Sequence, residues 1–264
     1  RILSSAASDV YKRQEYNNSS QVEACFKKYN KQIACVIVEP IAGNMNCVIP
    51  DKSFLRKIRT LCNKNNSILI FDEVMTGFRV AKGGAQQFFD IQPDITTLGK
   101  IVGGGLPVGV FGGKKKYMNQ LRPEGPIYHA GTLSGNPVAM AAGITTIDLI
   151  CKKNFHINLE KKTKKLMVGL KNAANKYNID LQINYSGGMF GFFFTKNKKV
   201  KNFKDVSNCN QILFEKFFKL MLKKGIYFAP SSYEAGFLSI KHSAKDIDYT
   251  INCAENVFKT LKEN

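Results

Sequence analysis

The chain has 264 residues, of which 44% are hydrophobic and 22% charged, as expected for a globular protein with a sizeable core. Lysine and arginine outnumber aspartate and glutamate by 39 to 20, giving a formal net charge of +19. The basic residues are scattered in short groups, without the interleaved aromatic residues of single-strand-binding proteins. We therefore predict solvated basic faces and no nucleic-acid partner; a nucleic-acid-binding or non-catalytic role is the remote alternative.

The seven cysteines stand far apart, with no C-x-x-C motif and no neighbouring histidine pair. This spacing argues against a metal site and against a dense disulfide framework. We expect a reducing compartment, the cytoplasm, or a plastid if the source is a photosynthetic eukaryote. No apolar stretch approaches the roughly 20 residues of a membrane span, so we predict a soluble protein without a membrane partner.

Residues 1–14, "RILSSAASDVYKRQ", show no helix or strand periodicity and lack the apolar core of a signal peptide. They resemble a translated adaptor scar. We predict a non-native tail here, and a chain that is an N-terminally truncated fragment.

Alternating strands and helices follow. A short amphipathic helix is predicted over Glu15–Asn30, and Ile33–Pro40 ("IACVIVEP") predicts a strand buried on both faces. A helix with an acidic, capped first turn is predicted from Asp51 to about Asn65. The segments "SILIFDEV" and "DITTLG" predict two more buried strands. The pattern predicts an α/β fold with a mostly parallel sheet covered by helices.

"VGVFGG" predicts another strand, and Asn136 with Pro137 predicts the capped start of a helix rich in small residues. The composition changes near residue 150. Beyond it, helices are predicted at about 155–178, at about 205–224 and from Lys245, with strands near "GGMFGFFF" and further apolar segments "GIYFAP" and "GFLSI". We predict that residues 15–150 form part of a major domain and residues 151–264 a smaller α+β domain.

Three polar residues end the predicted parallel strands, where ligands bind in sheets of this kind: Glu39, Asp72 and Lys100. A buried Asp72 carboxylate needs a cation or a proton, although an aspartate bonded to a helix N-terminus fits equally well. Lys100 could be a nucleophile with a depressed pKa or a solvated loop lysine. Together they fit pyridoxal phosphate (PLP), which needs a lysine for its Schiff base and an acid for its ring nitrogen.

Five segments carry a specific resemblance: "VIVEPIAGNMN", "LIFDEVMTGFRVAKGGAQ", "PDITTLGKIVGGGLPVGVFGG", "YHAGTLSGNPVAMAAG" and "APSSYEAGFLS". They resemble the glutamate-1-semialdehyde 2,1-aminomutase family, which belongs to the class III aminotransferases among fold-type I PLP enzymes. The resemblance runs from about Glu15 to the C-terminus. It implies the PLP-dependent transferase fold, present here in part.

The resemblance also implies residue roles. Lys100 resembles the Schiff-base lysine that shuttles protons, and Asp72 the carboxylate bonded to the pyridinium nitrogen. Val74 would pack on the ring face. Asn44 resembles the partner of the phenolic oxygen, with Glu39 behind it.

Thr132, with the backbone of Gly131, resembles a phosphate contact donated across a homodimer interface, and Glu234 resembles an acid near the substrate. One position departs from the pattern, because Asn46 stands where the family commonly has glycine after "GNM".

The implied reaction is an intramolecular amino transfer. The pyridoxamine form of the cofactor aminates the amino-aldehyde glutamate-1-semialdehyde to 4,5-diaminovalerate, and loss of the other amine leaves 5-aminolevulinate for porphyrin and chlorophyll synthesis. Another class III aminotransferase, with a different amino donor and acceptor, is the alternative. In the family the N-terminal half supplies the main phosphate cup, the stacking aromatic residue, the substrate-carboxylate arginine and the gating loop. We therefore expect the 264-residue chain alone to bind PLP poorly and to be inactive.

Overall fold

A computed structural model describes residues 11–263. Part of the predicted tail, residues 1–10, lies outside the described residues; residues 11–14 are without regular structure. The helices are α1 Ser19–Lys28, α2 Lys52–Asn65, α3 Gly84–Phe89, α4 Lys115–Met118, α5 Pro137–Ile150, α6 Phe155–Lys176, α7 Phe203–Ser207, α8 Gln211–Lys223 and α9 Ala244–Glu263. The strands are β1 Cys35–Val38, β2 Ile68–Asp72, β3 Ile95–Leu98, β4 Val110–Gly113, β5 Leu181–Ser186, β6 Met189–Phe194 and β7 Gly236–Phe237.

The first sheet has the order β1-β2-β3-β4. Strands β1, β2 and β3 run parallel, and β4 is antiparallel to β3. The predicted α/β class with a mostly parallel sheet is confirmed. Because three consecutive strands run the same way, their carboxyl ends meet at one edge, which brings the residues after β1, β2 and β3 together.

Helix α2 forms because its apolar residues recur on one face, and five of them are buried in the core: Phe54, Leu55, Ile58, Leu61 and Cys62. The predicted capping of its first turn is wrong. The side chain of Asp51 makes no cap hydrogen bond, because its carboxylate pairs with Lys201 Nζ at 2.6 Å instead. The helix ends as predicted, at Asn66 in the left-handed conformation.

Strand β1 is not buried on both faces, contrary to the prediction. Val36 and Val38 pack towards the core beneath α1 and α2, whereas Cys35 and Ile37 point to the opposite face and are exposed. Ile37 keeps 59% of its surface accessible. An apolar strand is buried on both faces only where both faces are covered, and the described residues cover one.

The second sheet is antiparallel, in the order β5-β6-β7. Helices α6, α8 and α9 pack against it around a cluster of phenylalanines, in which the rings of Phe217 and Phe258 stack with centroids 5.0 Å apart. The helix predicted at about 205–224 is divided into α7 and α8, because Asn210 caps a new helix through Leu213 N–H. The segment "GIYFAP" forms no regular element, and "GFLSI" supplies only β7.

Small residues let α5 pack closely on the turn that follows β3. Lys100–Gly103 form a 3₁₀ helix, and the next residue, Gly104, has φ of +60°. A Cβ at Gly104 would lie 2.4 Å from Ala142 O, and a Cβ at Gly143 would lie 2.4 Å from Val102 O. The absence of a side chain at Gly104 and Gly143 therefore permits this close backbone approach.

Candidate active site

Asp72 is the last residue of β2 and is half-buried. Its Oδ1 accepts two hydrogen bonds, from Val74 N–H at 3.1 Å and from Thr97 Oγ1 at 3.3 Å. Within residues 11–263 no protein cation forms an ion pair with it. Both hydrogen bonds engage one oxygen, and across the same residues Oδ2 has no hydrogen-bond donor.

A helix N-terminus was the alternative partner predicted for Asp72. In the structure, a helix N-terminus instead binds the carboxylate of the next residue, Glu73. Glu73 is fully buried, and its carboxylate accepts hydrogen bonds from Ala85 N–H at 2.6 Å and Gln86 N–H at 3.0 Å, at the start of α3. Thr76 Oγ1 adds a third at 2.9 Å. Sequence reasoning missed this residue, whose only signal was the second acid of "DEV". Glu73 fixes the turn that leaves the site.

Lys100 lies two residues after β3 and is exposed. Its φ of +51° is in the left-handed region, which is unfavourable for a residue with a long side chain. Such outliers concentrate at functional sites, where surrounding contacts enforce them. Lys100 lines an open groove of about 420 Å³ with Arg79, Leu106 and Thr146. The lysine therefore faces a space that can admit a ligand.

Arg79 is a second residue of this groove that sequence reasoning missed. Its Nε donates to Met75 O at 2.7 Å, and its guanidinium carbon lies 4.1 Å from the centroid of the Phe237 ring. Burial lowers the pKa of Arg79 to about 10. No carboxylate forms an ion pair with it among residues 11–263. Arg79 thus links the first sheet to β7 beside Lys100.

Glu39 and Asn44 lie on the loop that leaves β1. Asn44 Nδ2 donates to Glu39 Oε1 at 3.0 Å, and Gly43 N–H donates to Glu39 Oε2 at 2.7 Å. Asn44 is exposed. Because one amide hydrogen of Asn44 is engaged by Glu39, the orientation of its other N–H is defined.

The remaining predicted residues lie on two other segments of the chain. Gly131 and Thr132 are on an exposed loop before α5, where Ser134 N–H donates to Gly131 O. Glu234 is exposed and follows a turn closed by its N–H and Ser231 O at 3.1 Å. In the described part of the chain, no hydrogen bond or ion pair joins these three residues to Lys100 or Asp72.

The fold is that of the aminotransferases of known structure. The chain is similar to the β-phenylalanine aminotransferase of Variovorax paradoxus, with 28% identity and a TM-score of 0.85 over 93% of this chain and 56% of that one. It has the fold of a glutamate-1-semialdehyde aminomutase from Pseudomonas aeruginosa PAO1, with 21% identity and a TM-score of 0.83 over 94% of this chain and 56% of that one.

Residues 3–238 match the class-III aminotransferase family, and the chain belongs to that family. Over 245 residues it is 53% identical to the glutamate-1-semialdehyde 2,1-aminomutase of Francisella philomiragia subsp. philomiragia. That match covers 92% of this chain and 57% of the relative, so the chain spans less than two thirds of that relative's length. The resemblance predicted from the five segments is confirmed. No helix within residues 11–263 is long and apolar enough to cross a membrane.

Proposed function

We propose that the protein is a PLP-dependent isomerase that converts glutamate-1-semialdehyde to 5-aminolevulinate, the precursor of tetrapyrroles. The observation that carries this proposal is the 53% identity, across 92% of the chain, to a protein of that name. The position of Asp72 at the end of β2 and of Lys100 just after the adjacent parallel strand β3 supports the same chemistry. The activity is proposed for the product of the complete coding sequence, and the expectation that the 264-residue chain alone is inactive stays a prediction.

The residues present fit the cofactor. Asp72 has one carboxylate oxygen held by Val74 N–H and Thr97, while Oδ2 is available to accept a hydrogen bond from a protonated ring nitrogen. Asn44, held by Glu39, has an N–H available for the phenolic oxygen. When bound, the PLP ring is an electron sink that lets an amino group move between carbon atoms.

Lys100 supplies the reactive amine in this proposal. Its Nζ would hold the cofactor and, when free, would carry protons in both directions between the cofactor's C4′ and the substrate carbons that exchange nitrogen. Val74 limits the movement of the ring from one face. Glu234 supplies an acid on the side of the second sheet, near the substrate.

We also infer a homodimer in the cytoplasm. The exposed loop with Gly131 and Thr132 would contribute its N–H and hydroxyl groups to the phosphate site of the partner subunit. The support is the resemblance of "AGTLSGNP" and the exposure of this loop before the N-terminus of α5.

The proposal is tested by loading the purified product of the complete coding sequence with the pyridoxamine form of the cofactor, incubating it with glutamate-1-semialdehyde and no separate amino donor, and measuring 5-aminolevulinate. We expect product from the wild type and none from Lys100→Ala. Transfer of the amino group to an added 2-oxo acid, without 5-aminolevulinate, would instead support the alternative aminotransferase. Salt-dependent DNA binding with neither activity would support the remote alternative.

A further inference from the structure

Asn46 holds an unusual conformation on the loop after β1. Its φ is +64°, and only 2% of its surface is exposed. Asparagine tolerates the left-handed region better than most residues do, and the glycine that the family commonly has here tolerates it best. Asparagine and glycine can therefore both adopt the left-handed backbone conformation at position 46. The difference is that asparagine places an amide side chain in the protein interior.

Both polar atoms of that amide are hydrogen-bonded. Asn46 Nδ2 donates to Ser232 O at 2.8 Å, and Oδ1 accepts from Cys47 N–H at 2.7 Å. The backbone N–H of Asn46 donates to Tyr233 O at 2.5 Å. Gly191 on β6 leaves the space for this side chain, since a Cβ there would lie 2.0 Å from Oδ1. The amide thus joins the loop after β1 to residues 232–233.

Both segments joined by Asn46 contain a proposed site residue, Asn44 in the loop after β1 and Glu234 next to residues 232–233. Glu234 directly follows the two carbonyl groups that Asn46 binds, and both Asn46 and Glu234 line one small cavity beside β6. Asn44 lies two residues before Asn46 and forms a bridge with it. Neither Asn44 nor Glu234 is fixed by burial, because both are exposed.

We propose that Asn46 is a positioning residue that fixes Glu234 relative to Asn44, so that the substrate acid and the cofactor contact keep one geometry. The inference rests on the proposed function for the roles of Glu234 and Asn44. Replacement of the family's common glycine by asparagine adds the hydrogen bond to Ser232 O without changing the backbone that the loop requires.

The test is a double-mutant cycle with Asn46→Gly and Glu234→Gln, chosen because glycine keeps the backbone bond to Tyr233 O and avoids strain at positive φ. We expect Asn46→Gly to lower kcat/KM about tenfold, the equivalent of one buried hydrogen bond. In a Glu234→Gln background, the same change is expected to cost less than about twofold. Full additivity of the two losses would overturn the proposal, because a general packing role does not act through Glu234.

A second readout does not need activity. Cys47 is fully buried, and burial raises the pKa of its thiol to about 12. In cofactor-free protein we expect Asn46→Gly to increase both the alkylation rate of Cys47, measured by peptide mass spectrometry, and hydrogen exchange in residues 231–234. Unchanged exchange in that turn would also overturn the proposal.

Asn184→Ala is the matched control. Asn184 Nδ2 donates to Cys47 O at 2.9 Å from β5 and does not contact residues 231–234 through that bond. Asn184→Ala should increase the alkylation rate of Cys47 but leave hydrogen exchange in residues 231–234 unchanged. Its effect on kcat/KM should add to that of Glu234→Gln. The kinetic measurements use the product of the complete coding sequence. If its wild type forms no 5-aminolevulinate, the proposed function fails, while hydrogen exchange in residues 231–234 still decides whether Asn46 fixes the turn.

Discussion

The side chain of Val74 lies directly against the backbone of Gly99, the residue before Lys100. A Cβ added at Gly99 would be 3.1 Å from Val74 Cγ1, closer than ordinary van der Waals contact. The residue proposed to pack on the cofactor ring and the strand end that carries the lysine are therefore in contact. This close packing leaves little room for a side chain at position 99.

We predict that Gly99→Ala destabilises the protein by about 1–2 kcal/mol, because the added methyl group overpacks against Val74. The backbone of Gly99 is extended, so no conformational strain is added. In a Val74→Ala background the same substitution should cost less than about 0.5 kcal/mol. Urea unfolding of the four proteins measures the coupling, and equal costs in both backgrounds would exclude this contact as the cause.

Lys100 is predicted to combine an essential amine with a strained backbone. Lys100→Ala and Lys100→Gly should both abolish activity, but Lys100→Gly should be the more stable by about 1 kcal/mol, because glycine relieves the strain at φ of +51°. Thermal melting of the cofactor-free variants measures this difference. Equal melting temperatures would indicate that the backbone at Lys100 carries little strain.

Glu73→Gln is predicted to destabilise the protein by about 2 kcal/mol. The carboxylate is buried and accepts from the backbone of Ala85 and Gln86, and an amide would replace one charged acceptor with a donor. The matched control is Glu215→Gln, because Glu215 is exposed and pairs only with Lys219 within α8. That change should cost less than about 0.5 kcal/mol. Urea unfolding at neutral pH compares the two.

Asp94 gives a prediction for pH dependence. It is buried, with Arg59 Nη1 at 2.7 Å, Lys114 Nζ at 2.5 Å and Leu69 N–H at 2.8 Å. Burial alone would raise the pKa of Asp94, but the hydrogen bond from Leu69 and the two cations outweigh it and lower that pKa from 3.8 to about 2.

A carboxylate whose pKa is lower in the folded state stabilises the protein above its unfolded pKa, and this stabilisation is lost as the pH falls towards 2. The shift corresponds to about 2 kcal/mol at neutral pH, of which about half should be lost by pH 3. Asp94→Asn should remove this part of the acid sensitivity between pH 5 and pH 3, as measured by urea unfolding. The exposed Asp248, paired with Lys165, provides the control Asp248→Asn, which should leave the pH dependence unchanged.

Local sequence patterns were sufficient to predict most of the helices and strands of the first sheet. The spacing of apolar residues in α2 predicted its buried face, and the apolar runs before Asp72 and Lys100 predicted two strands, of which β2 ends at Asp72 and β3 ends two residues before Lys100. Parallel strands have their carboxyl ends at one edge, so the sequence also predicted that the two residues belong to one site. The exposure of Ile37 was not predictable in this way, because it depends on which elements cover each face of the sheet.

The sequence by itself determined the family, the strand ends that bear Asp72 and Lys100, and the helices whose periodicity is strong. Tertiary structure decided that the Glu73 carboxylate accepts hydrogen bonds from the start of α3, and that Arg79 lines the groove beside Lys100. It also decided that the Asn46 amide donates to Ser232 O. These contacts join residues far apart in the chain, whose separation in space no local pattern encodes. Propensity and periodicity act over a few residues, whereas burial and hydrogen-bond partners are set by the packing of the whole chain.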